Sequence, residues 1–321
     1  MSPLDLQAFQ DARRRVSDAV HHTPLLSSRT MGERIGRPVL LKAENLQKTG
    51  AFKVRGALNR VLGLSDRERA AGVVTISAGN HAQAVAWASA RAGVESTVVM
   101  PENATRSKVE ASRGYGARVV LHGDVFQAFE KALELAEGGL TLVHPFDHPD
   151  VVAGQGTVGL EILDDVPEPP AAVVVPVGGG GLCSGVATAL ALAAPGVPVW
   201  GVEPEGADAM SRSLEAGRPV RLERVDTVAD GLGAPMAGDL TYPLIRDHAA
   251  GVVIVSDAEI GSAMEMILSR AKLLVEPAGA AAVAALLAGR IPLERPGPVV
   301  AILSGGNVDL ERLPALLGGA A

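Results

Sequence analysis

The sequence predicts an α/β protein made of two open, mostly parallel, twisted sheets flanked by helices. Three observations carry that expectation. Short β-branched runs alternate with longer Ala-rich segments almost throughout, the order that produces strand–helix–strand crossovers. The strands are apolar on both faces, as strands covered by helices on both sides must be. The chain has 321 residues, 47% hydrophobic and 20% charged, enough for two domains with cores of their own.

Taken in order, Arg13, Arg14 and Arg15 stand among Gln10, Asp11 and Asp18 and read as the solvated face of a first helix. A strand at Val39–Ala43 leads to T-G-A-F-K-V-R-G (49–56), where the chain turns into a helix. The next three strands, Val73–Ser77, Ser96–Met100 and Arg118–Leu121, are followed by helices Asn80–Arg91, Arg106–Arg113 and Val125–Ala136. Later strands are Ala172–Pro176, Val199–Glu203, Val252–Val255 and Val299–Leu303. Leu182–Ala193 and Asp257–Leu274 are the helices among them. A charged link at Ser65–Arg69 and a Pro-punctuated crossing at His144–Asp150 mark the seams. They set apart a small mobile domain, 65–148, from a larger one made of 1–64 and 149–321. Pro219–Leu240 carries few periodic signals and reads as a cover for a cleft.

Composition excludes several functions. The net charge is −7 and basic residues never run beyond three, which argues against nucleic-acid and anionic-membrane partners. Cys183 is the only cysteine, so no internal disulfide forms and a reducing compartment is compatible. The opening lacks the basic-then-apolar order of a signal peptide. The longest apolar run, near Ala278–Ala288, falls short of the ~18 residues a membrane span requires. A soluble, cytoplasmic protein is expected.

Glycine is densest at P-V-G-G-G-G-L, where Gly178–Gly181 lie between an apolar strand and an Ala-rich helix. Side-chain-free backbone N–H groups converging at a helix N-terminus make a phosphate site; a merely tight strand–helix turn is the alternative. Glu203 ends the next strand about where a ribose-binding acid belongs, yet G-x-G-x-x-G is not met in any frame. Ser77-Ala78-Gly79-Asn80-His81 opens another helix, as an ordinary cap or as a receptor for a carboxylate. Ser304 in L-S-G-G-N-V-D either caps the last helix or presents its hydroxyl where open sheets bind ligands. Pro145 between His144 and His148 argues against a helical metal pair. G-x-S-x-G is absent, and Cys183 is either a helix-start thiol of lowered pKa or a buried filler.

Together A-F-K-V-R-G-A (51–57), S-A-G-N-H (77–81), P-V-G-G-G-G-L (176–182) and S-G-G-N (304–307) resemble pyridoxal-phosphate enzymes of fold type II. Within that group the chain is similar to the threonine/serine dehydratases (ammonia-lyases) and the serine racemases. T-P-L (23–25), A-G-Q-G-T (153–157), A-D-G (229–231) and E-P-A-G-A (276–280) extend the likeness along nearly the whole chain. The resemblance implies pyridoxal 5'-phosphate in the interdomain cleft. Lys53 would hold it as a Schiff base and, once freed, remove the substrate's α-proton. Gly178, Gly179, Gly180, Gly181 and Leu182 would bind the phosphate, and Asn80 would donate to the ring hydroxyl. Phe52 would pack against the ring and Ser304 would meet its nitrogen. Ser77, Ala78, Gly79 and His81 would line the substrate carboxylate. A serine rather than a carboxylate at the ring nitrogen makes a weaker electron sink, which suits elimination.

Two departures favour lyase over racemase. Racemases of the family place a second serine where this chain has Ala78, and a methyl group cannot deliver a proton. P-F-D (145–147) likewise follows the dehydratase pattern. The expected reaction is dehydration and deamination of L-threonine or L-serine to a 2-oxo acid and ammonia. A relative such as 3-hydroxyaspartate or an ectoine-pathway intermediate is a further substrate candidate. The alternatives are a serine or aspartate racemase and a non-catalytic phosphate- or nucleotide-binding protein. Glu203 and Ala207 resemble part of a Mg²⁺ site, though the Asp it needs would fall at Ala209. Few residues follow Ser304, so a C-terminal regulatory domain is not expected. Homodimers or homotetramers are expected from the resemblance.

Overall fold

A computed structural model describes residues 4–317. Helix α1 (Leu6–Val16) starts on Asp5, whose carboxylate accepts the Ala8 N–H. It buries Phe9, Ala12 and Val16 and leaves Arg14 and Arg15 exposed, the one-sided pattern of a surface helix. β1 (Leu25–Ser27), α2 (Arg29–Ile35) and β2 (Val39–Lys42) lead through two short 3₁₀ turns into α3 (Lys53–Leu62). After α4 (Asp66–Ala71) come β3 (Val73–Ile76), α5 (Asn80–Ala92), β4 (Ser96–Met100) and α6 (Arg106–Gly114). β5 (Arg118–Leu121), α7 (Val125–Glu137) and β6 (Thr141–Leu142) complete this stretch. The chain continues through α8 (Pro149–Asp165), β7 (Ala172–Pro176), α9 (Gly181–Ala193), β8 (Val199–Pro204), α10 (Ala209–Ala216) and α11 (Thr241–His248). It then forms β9 (Gly251–Val255), α12 (Asp257–Met266), α13 (Pro277–Leu287), β10 (Val299–Ile302) and α14 (Leu313–Leu317).

Two sheets result. One is all parallel in the order β5-β4-β3-β6; the other runs β1-β2-β10-β7-β8-β9, parallel except where β1 meets β2. Each is an open sheet flanked by helices, as expected. In the larger sheet Val173, Val175, Val300 and Ile302 pack with Leu182 and Val186 of α9. The alternate residues Val174, Val299 and Ala301 pack with Ala280–Ala285 of α13. Both faces are therefore core, which is why these strands read as continuous apolar runs.

Two expectations need correction. β1 and the two-residue β6 were not anticipated, because neither is long enough to show a period. The expected helix 257–274 stops at Met266, passes through a π-turn at Ile267–Ala271 and ends on Lys272 at φ +62°. The block between the seams holds the three expected strand–helix units and, after them, the closing strand β6.

The helix that carries Lys53 is seated on α8 by backbone-close contact. A Cβ added to Gly154 would stand 2.6 Å from the Arg55 carbonyl oxygen, and one added to Gly56 would stand 2.4 Å from Gln155 Nε2. Gln155 Oε1 accepts the Gly56 N–H at 3.1 Å. Below this crossing Arg55 is fully buried, pairing with Glu44 (2.7 Å) and Glu161 (2.6 Å), while buried Lys42 reaches Glu161 at 2.9 Å and Asp165 at 3.2 Å.

Candidate active site

Ser77 follows the carboxyl end of β3, Gly178 that of β7 and Ser304 that of β10, the strand ends at which parallel sheets place their ligands. Lys53 is the first residue of α3, half-buried, and its Nζ donates to the Pro145 carbonyl at 2.9 Å. The ammonium lies 5.2 Å from the Phe52 ring centroid. Burial pulls its pKa down to about 8, against the pull of Glu276, so a usable fraction is the neutral amine near neutral pH. The Lys53 loop is itself paired to the S-G-G-N turn. Phe52 N–H donates to the Ser304 carbonyl (3.1 Å), Gly306 N–H to the Gly50 carbonyl (2.9 Å), and Ala51 bridges Gly305.

Pro145 ties the lysine to the glycine loop. The next residue, Phe146, lies on that loop so closely that a Cβ at Gly179 would fall 2.4 Å from its ring. Asp147 then accepts the N–H groups of Asp239, Leu240 and Thr241 at the start of α11. Thr241 Oγ1 returns a hydrogen bond to the Gly179 carbonyl at 2.7 Å. Along the loop, the N–H groups from Gly178 to Cys183 have no acceptor among the described residues. Consecutive amides without partners at a helix N-terminus are the donor set a phosphate group satisfies. This fits a cofactor carrying one.

Asn80 begins α5, and the N–H groups of Asn80, His81 and Ala82 are likewise without acceptors. Gly79, not Ser77 or Asn80, occupies the cap; Ser77 Oγ accepts the Gly79 N–H at 3.0 Å. The Asn80 amide donates to Glu276 Oε1 at 2.6 Å. Burial pushes the Glu276 carboxyl up to about 7, with Asn80 and Lys108 opposing. His81 is buried, its Nε2 3.1 Å from the Val143 carbonyl, and its Nδ1 has no partner. Burial and the nearby Lys53 pull it down to about 3, so it is a neutral imidazole. His144 is held neutral too, down to about 4, mainly by burial. Its Nδ1 accepts the Asp147 N–H at 2.8 Å. Ser304 is buried and its hydroxyl donates to the Ala278 carbonyl at 3.3 Å. Ala78 lies in the turn before α5, and Leu182 is the second residue of α9.

The expected Mg²⁺ site gains no support. Both carboxylate oxygens of Glu203 are occupied at 2.8 Å by the N–H groups of Met210 and Ser211, so Glu203 anchors the start of α10. Burial pushes it up to about 7. The buried Ala207 directs its N–H to the Pro204 carbonyl, and among the described residues no group of three or more His, Cys, Asp and Glu could hold a metal ion. Cys183 is buried and its thiol is pushed up to about 12, which fits the filler reading. Glu276, Asn307 and His144 were not assigned site roles from the sequence, although all three lie inside quoted segments.

A family model described as pyridoxal-phosphate dependent enzyme matches residues 16–305. L-threonine ammonia-lyase of Thermotoga maritima is 45% identical over 98% of this chain and 78% of its own length. Among solved structures, a threonine deaminase from T.th. superposes with a TM-score of 0.90 at 44% identity, covering 96% of this chain and 99% of that one. Maize serine racemase gives 0.93 at 39% identity, covering 96% and 95%. The lysine loop, the glycine cradle and these likenesses point the same way: the chain belongs to the pyridoxal-phosphate dependent enzymes.

Proposed function

We propose that the protein is an ammonia-lyase that dehydrates and deaminates L-threonine or L-serine to a 2-oxo acid and ammonia. The observation that carries this is a lysine amine lowered to about 8 between a glycine loop of unpartnered amides and a second helix N-terminus. Relatives named for threonine deamination at 40–45% identity support the substrate class. Bound pyridoxal phosphate supplies an aldehyde for an amino group and a ring that draws electrons from the substrate's Cα. Lys53 Nζ would attach it and later take the Cα proton. Gly178, Gly179, Gly180, Gly181 and Leu182 would hold its phosphate, Asn80 its ring hydroxyl and Ser304 its ring nitrogen, with Phe52 packed alongside. Ser77 and the free amides of α5 would seat the substrate carboxylate.

Maize serine racemase favours a second reading, amino-acid racemisation. Ala78 weighs against it, since its methyl group offers no proton to the face opposite Lys53. The same proposal takes 65–148 as a unit that moves against the rest. In support, every strand of the smaller sheet lies between Val73 and Leu142, and the larger sheet draws on both sides of that span. It also takes the enzyme as a cytoplasmic homodimer or homotetramer without nucleic-acid or membrane partners. Light scattering would then give two or four times the 32.9 kDa chain. Among the described residues no helix is long and apolar enough to cross a membrane.

Borohydride reduction followed by peptide mapping should put the pyridoxyl adduct on Lys53; no adduct there sinks the enzyme reading. Incubation with L-serine and L-threonine should release 2-oxo acid well ahead of any D-amino acid. D-serine leading pyruvate would transfer the assignment to the racemase.

A further inference from the structure

Asn307 is an exposed side chain with an exacting set of contacts. Its Nδ2 lies 2.6 Å from the Thr49 carbonyl and 2.8 Å from Asn80 Oδ1. A backbone carbonyl can only accept, so Thr49 dictates that the nitrogen of Asn307 and not its oxygen faces inward. Its two hydrogens then have two acceptors. The amide is brought there by the pairing of Ser304–Gly306 with the lysine loop. It lies against Gly50, which has φ +74° and whose added Cβ would stand 2.5 Å from Asn307 Oδ1.

We propose that Asn307 is a positioning residue that fixes which way round the Asn80 amide is held. Asn80 has one orientation that satisfies both neighbours: Oδ1 toward Asn307 and Nδ2 toward Glu276. Turned over, it would set two N–H₂ groups against each other at Asn307 and, wherever Glu276 is ionised, an oxygen against its carboxylate. The N–H₂ edge of Asn80 has two hydrogens, and Glu276 uses one. Asn307 therefore keeps the second available as a donor, the role given to Asn80 under the proposed function, on which this inference rests. The bond also links α5 of the smaller sheet to the loop of Lys53, so one amide aligns three segments far apart in sequence.

The test is a double-mutant cycle with a second readout in the cofactor-free protein. Pyridoxal phosphate binding is followed by fluorescence quenching for wild type, Asn307→Ala, Asn80→Ala and the double variant. Asn307→Ala should weaken binding about fivefold, the worth of one neutral hydrogen bond. The double variant should bind no worse than Asn80→Ala alone. Losses that multiply, or wild-type binding by Asn307→Ala, overturn the proposal. The chain has five asparagines, so selective ¹⁵N-asparagine labelling resolves their side-chain amides directly. In Asn307→Asp, whose carboxylate cannot donate to Asn80, the Asn80 ¹⁵Nδ2 signal should shift; an unmoved signal overturns the proposal. Should Asn307→Ala fail to fold, Asn307→Ser enters the same cycle with the same expected outcomes. Both readouts are independent of turnover, so a protein that loads cofactor but eliminates nothing refutes the lyase reading and leaves this one standing.

Discussion

At the residue scale the chemistry is decided by burial without full enclosure. Lys53 is pulled down to about 8 by desolvation, so the neutral amine gains as pH rises toward that value. The rate of covalent attachment of pyridoxal phosphate should climb about tenfold per pH unit below pH ~8 and level off above it. Stopped-flow absorbance between pH ~6 and ~9 reads this, and a flat profile would sink the assignment. Two residues on, Arg55 shares its charge between Glu44 and Glu161. Burial pushes the Glu161 carboxyl up, but Arg55 and Lys42 outweigh it and hold it below its ordinary value. Its contribution to stability is therefore present above the unfolded value and lost as pH falls through the folded one. Arg55→Met should cost about 3–5 kcal/mol, because buried Glu44 loses its cation and Glu161 keeps only Lys42; a melting temperature within a degree of wild type would contradict that. Lys53, Asn80 and Gly178–Gly181 were candidates from the sequence because their motifs, taken together and in order, resemble a known family. Glu276 and Asn307 were not, since their meaning comes from Asn80, 196 and 227 residues away.

At the element scale, strands with apolar residues on both faces were read nearly to their ends, because a covered parallel strand has no polar side to blur it. β1 escaped notice as a three-residue antiparallel edge, half-exposed along most of its length. The π-turn after Met266 leaves no compositional trace, and only Lys272 at φ +62° reveals where that helix ends. Helix crossings were also invisible, though glycines mark them. Gly154→Ala would place a methyl 2.6 Å from the Arg55 carbonyl, forcing α3 away from α8 and carrying Lys53 with it. Overpacking of this kind costs about 1–3 kcal/mol. The variant should melt a few degrees lower and load cofactor more weakly; unchanged values for both would show that the crossing does not position the lysine.

At the scale of the whole molecule, α3 packs Val54, Leu58 and Val61 against Val85 and Ala88 of α5, and partly exposed bonds also join 65–148 to the rest. They include Lys108–Asp230 (3.8 Å), Ser107–Asp309 (3.2 Å) and the Arg221 guanidinium 5.0 Å from the Phe126 ring. Arg312 supports Asp230 at 3.1 Å. Exposed ion pairs contribute about 0–1 kcal/mol each and weaken in salt. If 65–148 moves as a unit, the radius of gyration of the cofactor-free protein should grow between ~0.05 M and ~1 M NaCl. Small-angle scattering that stays constant would count against that motion. The glycine loop has a practical consequence for handling this protein. An anion that satisfies its amides stabilises the folded state by mass action, whatever molecule carries it. Inorganic phosphate should therefore raise the melting temperature of the cofactor-free protein and compete with pyridoxal phosphate. Reconstitution in phosphate buffer would then understate the enzyme's affinity for its own cofactor.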